Sequence, residues 1–469
     1  MSRRKQVEFT IGREQGLGVP GRILRNAWLL LVCSISLVSR GTLGATPLEH
    51  WKTVCDDFRD HYSYTEHKGV DWSEVYERNK PRFEVPQSAA QFATNLHESL
   101  LVLHDWHVAV QKPDGGWLGY SVPVPRNYPA QVATNHAATI YVNYHAAGAL
   151  VHARLTNDAV HLIVPTLDSA AFEKLRDNDL DELFGSFAGA RGVIFDLRYN
   201  SGGNELHARR LAAFFVREPT LYGYTRTRSP TEPDGFTPMT ARHVVPNAGR
   251  HLDMPVVVLT GARCLSSCEW LVLMLREAPN AILMGGRTRG GTGNPDLVSI
   301  PELGVKYLRS RWMGYTPEGE LIEDRGIQPT IGLRSEWSYD DANRRDLLLE
   351  QAMAYVDWRH RVGNSNSPVH GRTDTDADGV PDVGEFVAGM NPNDAASVPR
   401  LRVTGPSIGL AWVSAARRAY WIQEASAPTG PWVDLPGTPF HFPLSSASVP
   451  ASGSDQSGRF FRLAIELAP

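Results

Sequence analysis

Apolar residues recur at three- and four-residue spacing through HWKTVCDDFRDHYSY, DWSEVYERNKPRF and SAAQFATNLHESLLVLHDWHVAV, which predicts a mostly helical region over residues 46–115. Pro81 and Pro86 interrupt the pattern between helices. Over residues 116–157 the period shortens: ATIYVNYHA and ALVHARL alternate, as half-buried strands do, and predict a short β region. From residue 158 onward the apolar runs AVHLIVP, GVIFDLR, PVVVLT and AILMGG lack alternation. They take turns with the helical segments AAFEKLRDNDLDELFGSF, NELHARRLAAFFV and SCEWLVLMLRE. Buried strands alternating with helices predict an α/β domain over 158–350, its mostly parallel sheet covered on both faces. Such sheets bind ligands beyond the C-terminal ends of their strands, so the loops after residues 197, 260 and 286 are where chemistry is expected.

The pattern changes again near residue 351. Residues 351–373 end in the linker GNSNSPVHGRT, and the segment 374–397 opens with DTDADGVPDVGE. Asp374, Asp376, Asp378, Asp382 and Glu385 stand at positions 1, 3, 5, 9 and 12 of this loop. Gly379 is at the turn position, and Val380 offers a backbone carbonyl. That is the spacing of an EF-hand-like calcium loop, in which oxygens converge on a hard cation. The alternative is a solvated acidic linker. With Pro381 inside the loop and only EFVAGM after it, the segment resembles the Asp-rich repeats between domains of exported bacterial proteins. A structural Ca2+ is expected there, not a sensor. Residues 398–469 carry the short strands LRVTG, IGLAWVS, AYWIQEAS, WVDLPG and FFRLAIEL, a β-sandwich-like C-terminal module with no catalytic cluster.

The first 45 residues differ from the rest. Arg3, Arg4, Lys5, Arg13, Arg22 and Arg25 precede the apolar run AWLLLVCSISLV, and small residues follow it. This is a signal peptide pattern, with cleavage expected after Ala45, and it implies export to the periplasm or the exterior. An uncleaved anchor is the alternative. Surface attachment through Cys33 stays open, although Val32 before it is bulkier than lipid-attachment signals take. The length of 469 residues allows two or three domains, and 42% apolar with 21% charged residues is an ordinary globular composition. A net charge of −4 and the lack of a basic stripe argue against a nucleic-acid partner. No membrane contact is expected beyond the export signal, and the pattern sets no oligomeric state. Beyond the leader the cysteines are Cys55, Cys264 and Cys268. Cys264 and Cys268 are four residues apart, poor geometry for a disulfide on one helix, so buried thiols are expected. No CxxC or HxxxH spacing suggests zinc.

Chemistry concentrates in three loops. In ARCLSSCEW, Ser266 lies between a strand end and a helix start. Ser266 and Glu269 have the S-x-x-E spacing of a capping box, so Ser266 reads equally as a helix cap. It also reads as a nucleophile beside the positive end of a helix dipole. In YNSGGNE, Gly202 and Gly203 allow backbone N–H groups to approach a developing anion, or simply form a turn. The third loop, RTRGGTGNP, is glycine-rich.

Taken in order, IFDLRYNSGG, LSSCEW and GGRTRGGTGNP resemble the peptidase domain of the C-terminal-processing and tricorn-core serine peptidases. LLVLHDWHVAV resembles the Leu-x-Asp-x-His element before that domain, and IEDRGIQP resembles a Glu-x-x-Gly-Ile-x-Pro element near its end. The resemblance covers about residues 46–350 and implies the fold shared with Clp-type proteases and crotonases. One version of the family uses a lysine in a Phe-Gly-Lys element; the matching positions here are Arg289, Gly290 and Gly291, so that lysine is absent. The resemblance therefore implies the tricorn-like version. Ser266 would be the nucleophile, His107 the base, Glu323 a supporting carboxylate, and backbone N–H groups of Gly202 or Gly203 and of Ser267 the oxyanion hole. His104 is an alternative base. No cofactor is expected for catalysis, which would run through an acyl-enzyme. Many relatives carry a PDZ-like module, and only residues 116–157 stand in its place, so peptide or unfolded protein is the expected substrate. An esterase using the same site, or a catalytically silent binding protein on this fold, are the competing readings.

Overall fold

The computed structural model describes residues 45–128, 141–147, 150–334, 345–363, 373–404, 409–441, 444–448 and 460–468. Residues 1–44 of the leader and 364–372 of the linker lie outside them.

Each N-terminal helix starts where the sequence supplies a cap. Thr46 accepts from the Glu49 N–H at 3.2 Å and Pro47 follows it, opening α1 (Pro47–His61). Asp71 accepts from the Ser73 N–H at 2.8 Å and opens α2 (Trp72–Asn79); Ser88 opens α3 (Ala89–Leu100). The apolar stripe of α1 buries Trp51, Val54 and Phe58. Trp51 stacks on Phe83 at 4.8 Å and Phe58 on Tyr307 at 5.5 Å. Each such side chain contributes roughly 1.5–3 kcal/mol of burial. The chain continues through β1 (Ala109–Gln111) and β2 (Trp117–Gly119) into the main sheet.

That sheet contains β3 (Tyr141–Ala147), β4 (Leu150–Leu155) and β5 (Val160–Ile163). A broken helical stretch follows, α4 (Ser169–Phe172) and α5 (Asp177–Gly185), where the pattern predicted one helix over 170–187. The break has a local cause: Asp179 accepts from the Arg176 N–H at 2.8 Å and starts a new helix. Next come β6 (Val193–Asp196), α6 (Glu205–Ala212), β7 (Thr220–Thr227), β8 (Thr240–Val244), β9 (Val256–Thr260), α7 (Ser267–Arg276) and β10 (Ala281–Gly285). They are followed by β11 (Asp296–Ile300), β12 (Val305–Arg309), β13 (Trp312–Tyr315) and β14 (Ile331–Gly332). The seven-stranded order is β14-β10-β9-β6-β5-β4-β3. It is parallel from β14 to β5, and β4 and β3 add antiparallel at one edge. Every residue of β5, β6, β9 and β10 is buried, which is why these strands read as unbroken apolar runs. One face packs on α5, α6 and α7; the other packs on α8 (Leu347–Arg361) through Leu348, Tyr355 and Val356. This is a mixed α/β fold preceded by a helical region.

A second sheet, β11-β12-β1-β2, joins the helical region to the α/β body, because β1 pairs antiparallel with β12. A third, β13-β7-β8, flanks α7. At the other end lie α9 (Asp382–Ala388), β15 (Arg402–Thr404), β16 (Gly409–Ala411), β17 (Arg418–Ala425), β18 (Val433–Asp434), β19 (Phe440–His441), β20 (Ser446–Ser448) and β21 (Phe460–Leu467). β17 pairs antiparallel with β18, β19 and β21. Leu467 at the end of β21 reaches the core beneath α8. Among the described residues no helix is long and apolar enough to cross a membrane.

Candidate active site

The loop after β6 is fixed from below. Arg198, fully buried, lies 2.6 Å from Asp196 Oδ2 and 2.6 Å from Asp346 Oδ2, tying the loop to the first turn of α8. Burial opposes ionisation of Asp196, but the Arg198 charge outweighs it and holds this carboxyl well below the usual range. Asn200 then accepts from the Gly202 N–H at 2.7 Å. Gly202 has φ +102° and Gly203 φ +137°, conformations that side chains rarely adopt. A Cβ on Gly202 would lie 2.8 Å from Ser266 Cβ, and one on Gly203 would lie 2.2 Å from the Leu167 backbone. The two glycines therefore let this loop lie directly against the next.

Ser266 sits on the strand-to-helix turn between β9 and α7 with φ 61° and ψ −129°. A non-glycine residue held there carries on the order of 1–3 kcal/mol of strain. Such a turn projects a side chain away from the backbone, as a nucleophile requires. The Ser266 N–H donates to the Gly291 carbonyl at 2.8 Å, and the Glu269 N–H is satisfied by the Ser266 carbonyl at 2.8 Å. The Ser266 N–H also donates to Glu269 Oε2 at 3.3 Å, the reciprocal half of the capping box that the spacing predicted. Ser267 donates its hydroxyl to the Gly203 carbonyl at 2.7 Å, locking the two loops together. Gly203 and Ser267 keep backbone N–H groups without a hydrogen-bond partner among the described residues. Gly202 differs from expectation: its N–H is committed to Asn200, so it shapes the turn and is no free donor.

The capping-box glutamate does more than cap. Glu269 is fully buried, and its carboxylate accepts from Thr288 Oγ1 at 2.6 Å and from the Gly290 and Gly291 N–H groups, each at 2.8 Å. Burial pushes it up to about 7 despite these donors. It straps the loop after β10 to the turn that carries Ser266.

His107 meets that loop from the other side. A Cβ on Gly291 would lie 3.6 Å from His107 Cε1, and one on Gly293 would lie 3.4 Å from His107 Nδ1. Gly291 is thus bonded to the Ser266 backbone and lies close to the His107 ring. His107 is buried, its Nδ1 has no hydrogen-bond partner among the described residues, and burial lowers its pKa below the usual 6.5, with Asp105 opposing. His104 is exposed, has φ 47° and packs on Tyr120. Of the two histidines, His107 is the one beside Gly291.

Sequence reading overlooked Asp105, although it stands within HDWH. Its Oδ1 accepts from the His107 N–H at 2.7 Å and lies 4.0 Å from Nδ1. Its Oδ2 accepts from Tyr62 at 2.9 Å and from Ser310 at 2.8 Å. Glu323 is also fully buried but stands one layer further out. Lys68 Nζ is 3.3 Å from its Oε1 and 2.7 Å from Asp324 Oδ1. Burial, then the charge of Asp105, raises Glu323 well above the ordinary carboxylate range, while Lys68 pulls it down. The carboxylate nearest His107 is therefore Asp105, with Glu323 and Lys68 behind it. At the position of the absent lysine, the Arg289 guanidinium stacks 4.4 Å over Trp106. Cys264 and Cys268 are free, fully buried thiols, the former donating to the Leu197 carbonyl at 3.2 Å.

Far from this site, carboxylate oxygens of Asp374, Asp376 and Asp378 lie within 4.8 Å of one another. Gly379 has φ +92° at the turn. Glu385 is fully buried, and among the described residues neither of its oxygens is hydrogen-bonded and Asp376 Oδ2 and Asp378 Oδ2 also lack partners. Asp382 accepts from the Thr375 N–H at 2.8 Å and hydroxyl at 2.7 Å, which braces the loop. Val380 directs its N–H to Asp378 Oδ1 at 2.7 Å.

Residues 166–333 match the model of peptidase family S41. Over 144 residues the chain is 26% identical to the carboxy-terminal processing protease CtpB of Bacillus subtilis (strain 168), an alignment covering 30% of this chain and 28% of that protein. Among solved structures, a presumed peptidase from Parabacteroides merdae ATCC 43184 matches with a TM-score of 0.58 and 25% identity, over 66% of this chain and 97% of that one. Mature CPAF shares the fold, with a TM-score of 0.50 and 12% identity, over 68% of this chain and 97% of that one. The α/β body over residues 166–333 is therefore similar to the peptidases of family S41, in a match that spans 28% of the curated relative's own length.

Proposed function

We propose that the protein is an exported serine peptidase that hydrolyses peptide bonds in peptides or unfolded proteins. The observation that carries this reading is the juxtaposition at Gly291: a strained Ser266 turn on one side, a buried His107 with a lowered pKa on the other. A neutral imidazole is the state that accepts a proton. His107 takes the Ser266 proton as Oγ attacks the substrate carbonyl. The oxyanion is held by the N–H groups of Gly203 and Ser267. His107 then protonates the leaving amine, and an acyl-enzyme remains for water to release by the reverse sequence. Asp105 orients His107 and is itself held by Tyr62 and Ser310, with Glu323 as the supporting carboxylate behind it. The basic leader with its apolar run supports export.

The acidic loop is proposed as a structural Ca2+ site. The buried, unpartnered oxygens of Glu385 support it, because a buried carboxylate is costly unless a cation or donors meet it. Asp374, Asp376, Asp378, Glu385 and the Val380 carbonyl would hold the ion. Residues 398–469 are proposed as an accessory β module behind that clip.

Incubating the protein with unfolded casein and a mixed peptide library, beside Ser266→Ala and His107→Ala, tests the peptidase reading. Fragments seen by mass spectrometry for the parent and absent for both folded variants are the expected result. Cleavage that survives Ser266→Ala would return Ser266 to the role of helix cap, and hydrolysis of activated esters alone would make the site an esterase.

A further inference from the structure

Ser266 and Ser267 line a cleft of about 640 Å3 whose other wall holds Arg242, Glu205, Trp270 and Trp312. His107 is not part of its lining. In serine-peptidase chemistry the leaving amine departs toward the general acid, so the acyl half of the substrate lies on the side away from it. The cleft is therefore the acyl-side subsite, an assignment that rests on the peptidase reading above.

Its charge is unusual. Glu205 is a single carboxylate shared by two guanidiniums: Oε1 accepts from Arg209 Nη2 at 2.9 Å, and Oε2 accepts from Arg242 Nη2 at 2.5 Å. Tyr222 also gives its hydroxyl to Oε1. Within this cluster one anion faces two cations, and with the exposed Asp168 the cleft lining as a whole is charge-neutral. Arg242 is held in place by Trp312, whose ring lies 4.7 Å from the guanidinium carbon. The ring is itself fixed, because Trp312 Nε1 donates to the Thr292 carbonyl at 2.6 Å. Arg242 keeps 17% of its side chain exposed, while its Nε is shielded from solvent and has no hydrogen-bond partner among the described residues. The remaining charged residue of the lining, Asp168, is exposed at the rim. An aromatic wall beside a fixed, partly exposed guanidinium fits a side chain that has an apolar stem and an anionic tip.

We propose that this cleft selects an acidic side chain, so that the protein cleaves after glutamate or aspartate, with Arg242 as the specificity-determining residue. A charge-assisted hydrogen bond in a desolvated cleft discriminates by roughly tenfold or more.

The test compares blocked peptides that differ only in Glu, Gln, Leu or Lys before the scissile bond. Turnover is measured with the parent, Arg242→Met and Arg242→Lys, and affinity is measured with Ser266→Ala protein. The expected result is a kcat/KM for Glu at least about tenfold above Gln, tighter binding of the Glu peptide to Ser266→Ala, and loss of both preferences in Arg242→Met. Arg242→Lys should keep part of the preference and report on folding. Equal binding of Glu and Gln peptides, or faster turnover of Leu or Lys peptides, would overturn the proposal. Preferential binding of Glu without any turnover would leave this selectivity standing and overturn the peptidase reading alone.

Discussion

At the scale of single residues, the site depends on what each buried charge faces. His107 must be neutral to act, and burial lowers its pKa. The acid limb of kcat/KM should therefore show an apparent pKa below 6.5, with activity present above that limb and lost as pH falls through it. Asp105 opposes the lowering, so Asp105→Asn should move the limb to still lower pH. The same change should reduce kcat by about 10²–10⁴, because the ring loses the group that orients it. A pH–rate profile of the two proteins checks both the sign and the size. A limb that moves upward, or does not move, would remove Asp105 from the positioning role. Ser266 and His107 stood out in the sequence because each falls within an ordered set of short motifs, and the structure brings both beside Gly291. Asp105 and Glu269 were not, because their importance lies in the partners they meet. Asp105 touches Tyr62 and Ser310, and Ser310 lies 205 residues away in sequence. Glu269 showed only its helix-capping spacing, which gave no sign of its bonds to Gly290 and Gly291.

At the scale of elements, the strand ends and their glycines decide whether the loops can meet. Gly203 is the tightest point, since a Cβ there would lie 2.2 Å from the Leu167 backbone. Gly203→Ala should push the loop after β6 away from α7 and displace one oxyanion donor. The expected effect is a fall in kcat of about 10²–10³ with a native circular dichroism spectrum. Unchanged kcat would show that the Gly203 N–H is not used. The turn that carries Glu323 sets a second condition. Lys68 lies 3.3 Å from Glu323 Oε1, and removing it leaves a buried carboxylate without a cation. Because the Glu323 pKa is raised on folding, its burial costs little below 4.5 and increasingly more as pH climbs. Lys68→Met should thus destabilise the fold by on the order of 3 kcal/mol at pH 8 and by much less at pH 5, read from urea midpoints. A deficit independent of pH would mean that Lys68 acts by packing. The parallel core was plain in the sequence, because β5, β6, β9 and β10 are buried on both faces and read as unbroken apolar runs. The pairing of β1 with β12 was hidden, because the strands are short and Ala109 pairs with Leu308 across nearly two hundred residues.

At the scale of the whole molecule, the helical region, the α/β body and the C-terminal strands share surfaces. α9 packs Phe386 on Tyr355 at 5.0 Å and on Trp358 at 5.4 Å, which joins the acidic loop to the helix that backs the main sheet. Calcium should therefore raise the stability of the body and not only of the loop. At a hundred times its Kd the ion is expected to add about 2.7 kcal/mol, seen as a higher midpoint in Ca2+ than in EDTA. Asp376→Ala should abolish the difference without changing peptide cleavage rates at low temperature. An equal midpoint with and without the ion would make the loop an ordinary acidic turn. The sequence showed this loop through its spacing. It did not show that Asp382 turns to Thr375, because position 9 looks the same whether it binds the ion or braces the loop.

The most direct measurement is covalent labelling of the folded protein with a serine-directed fluorophosphonate, read by intact mass and peptide mapping. One adduct per chain on Ser266, suppressed in His107→Ala and formed faster above the acid limb of His107, is the expected result. Peptide cleavage by a protein that takes no label at Ser266, or label that persists equally in His107→Ala, would contradict a Ser266–His107 mechanism.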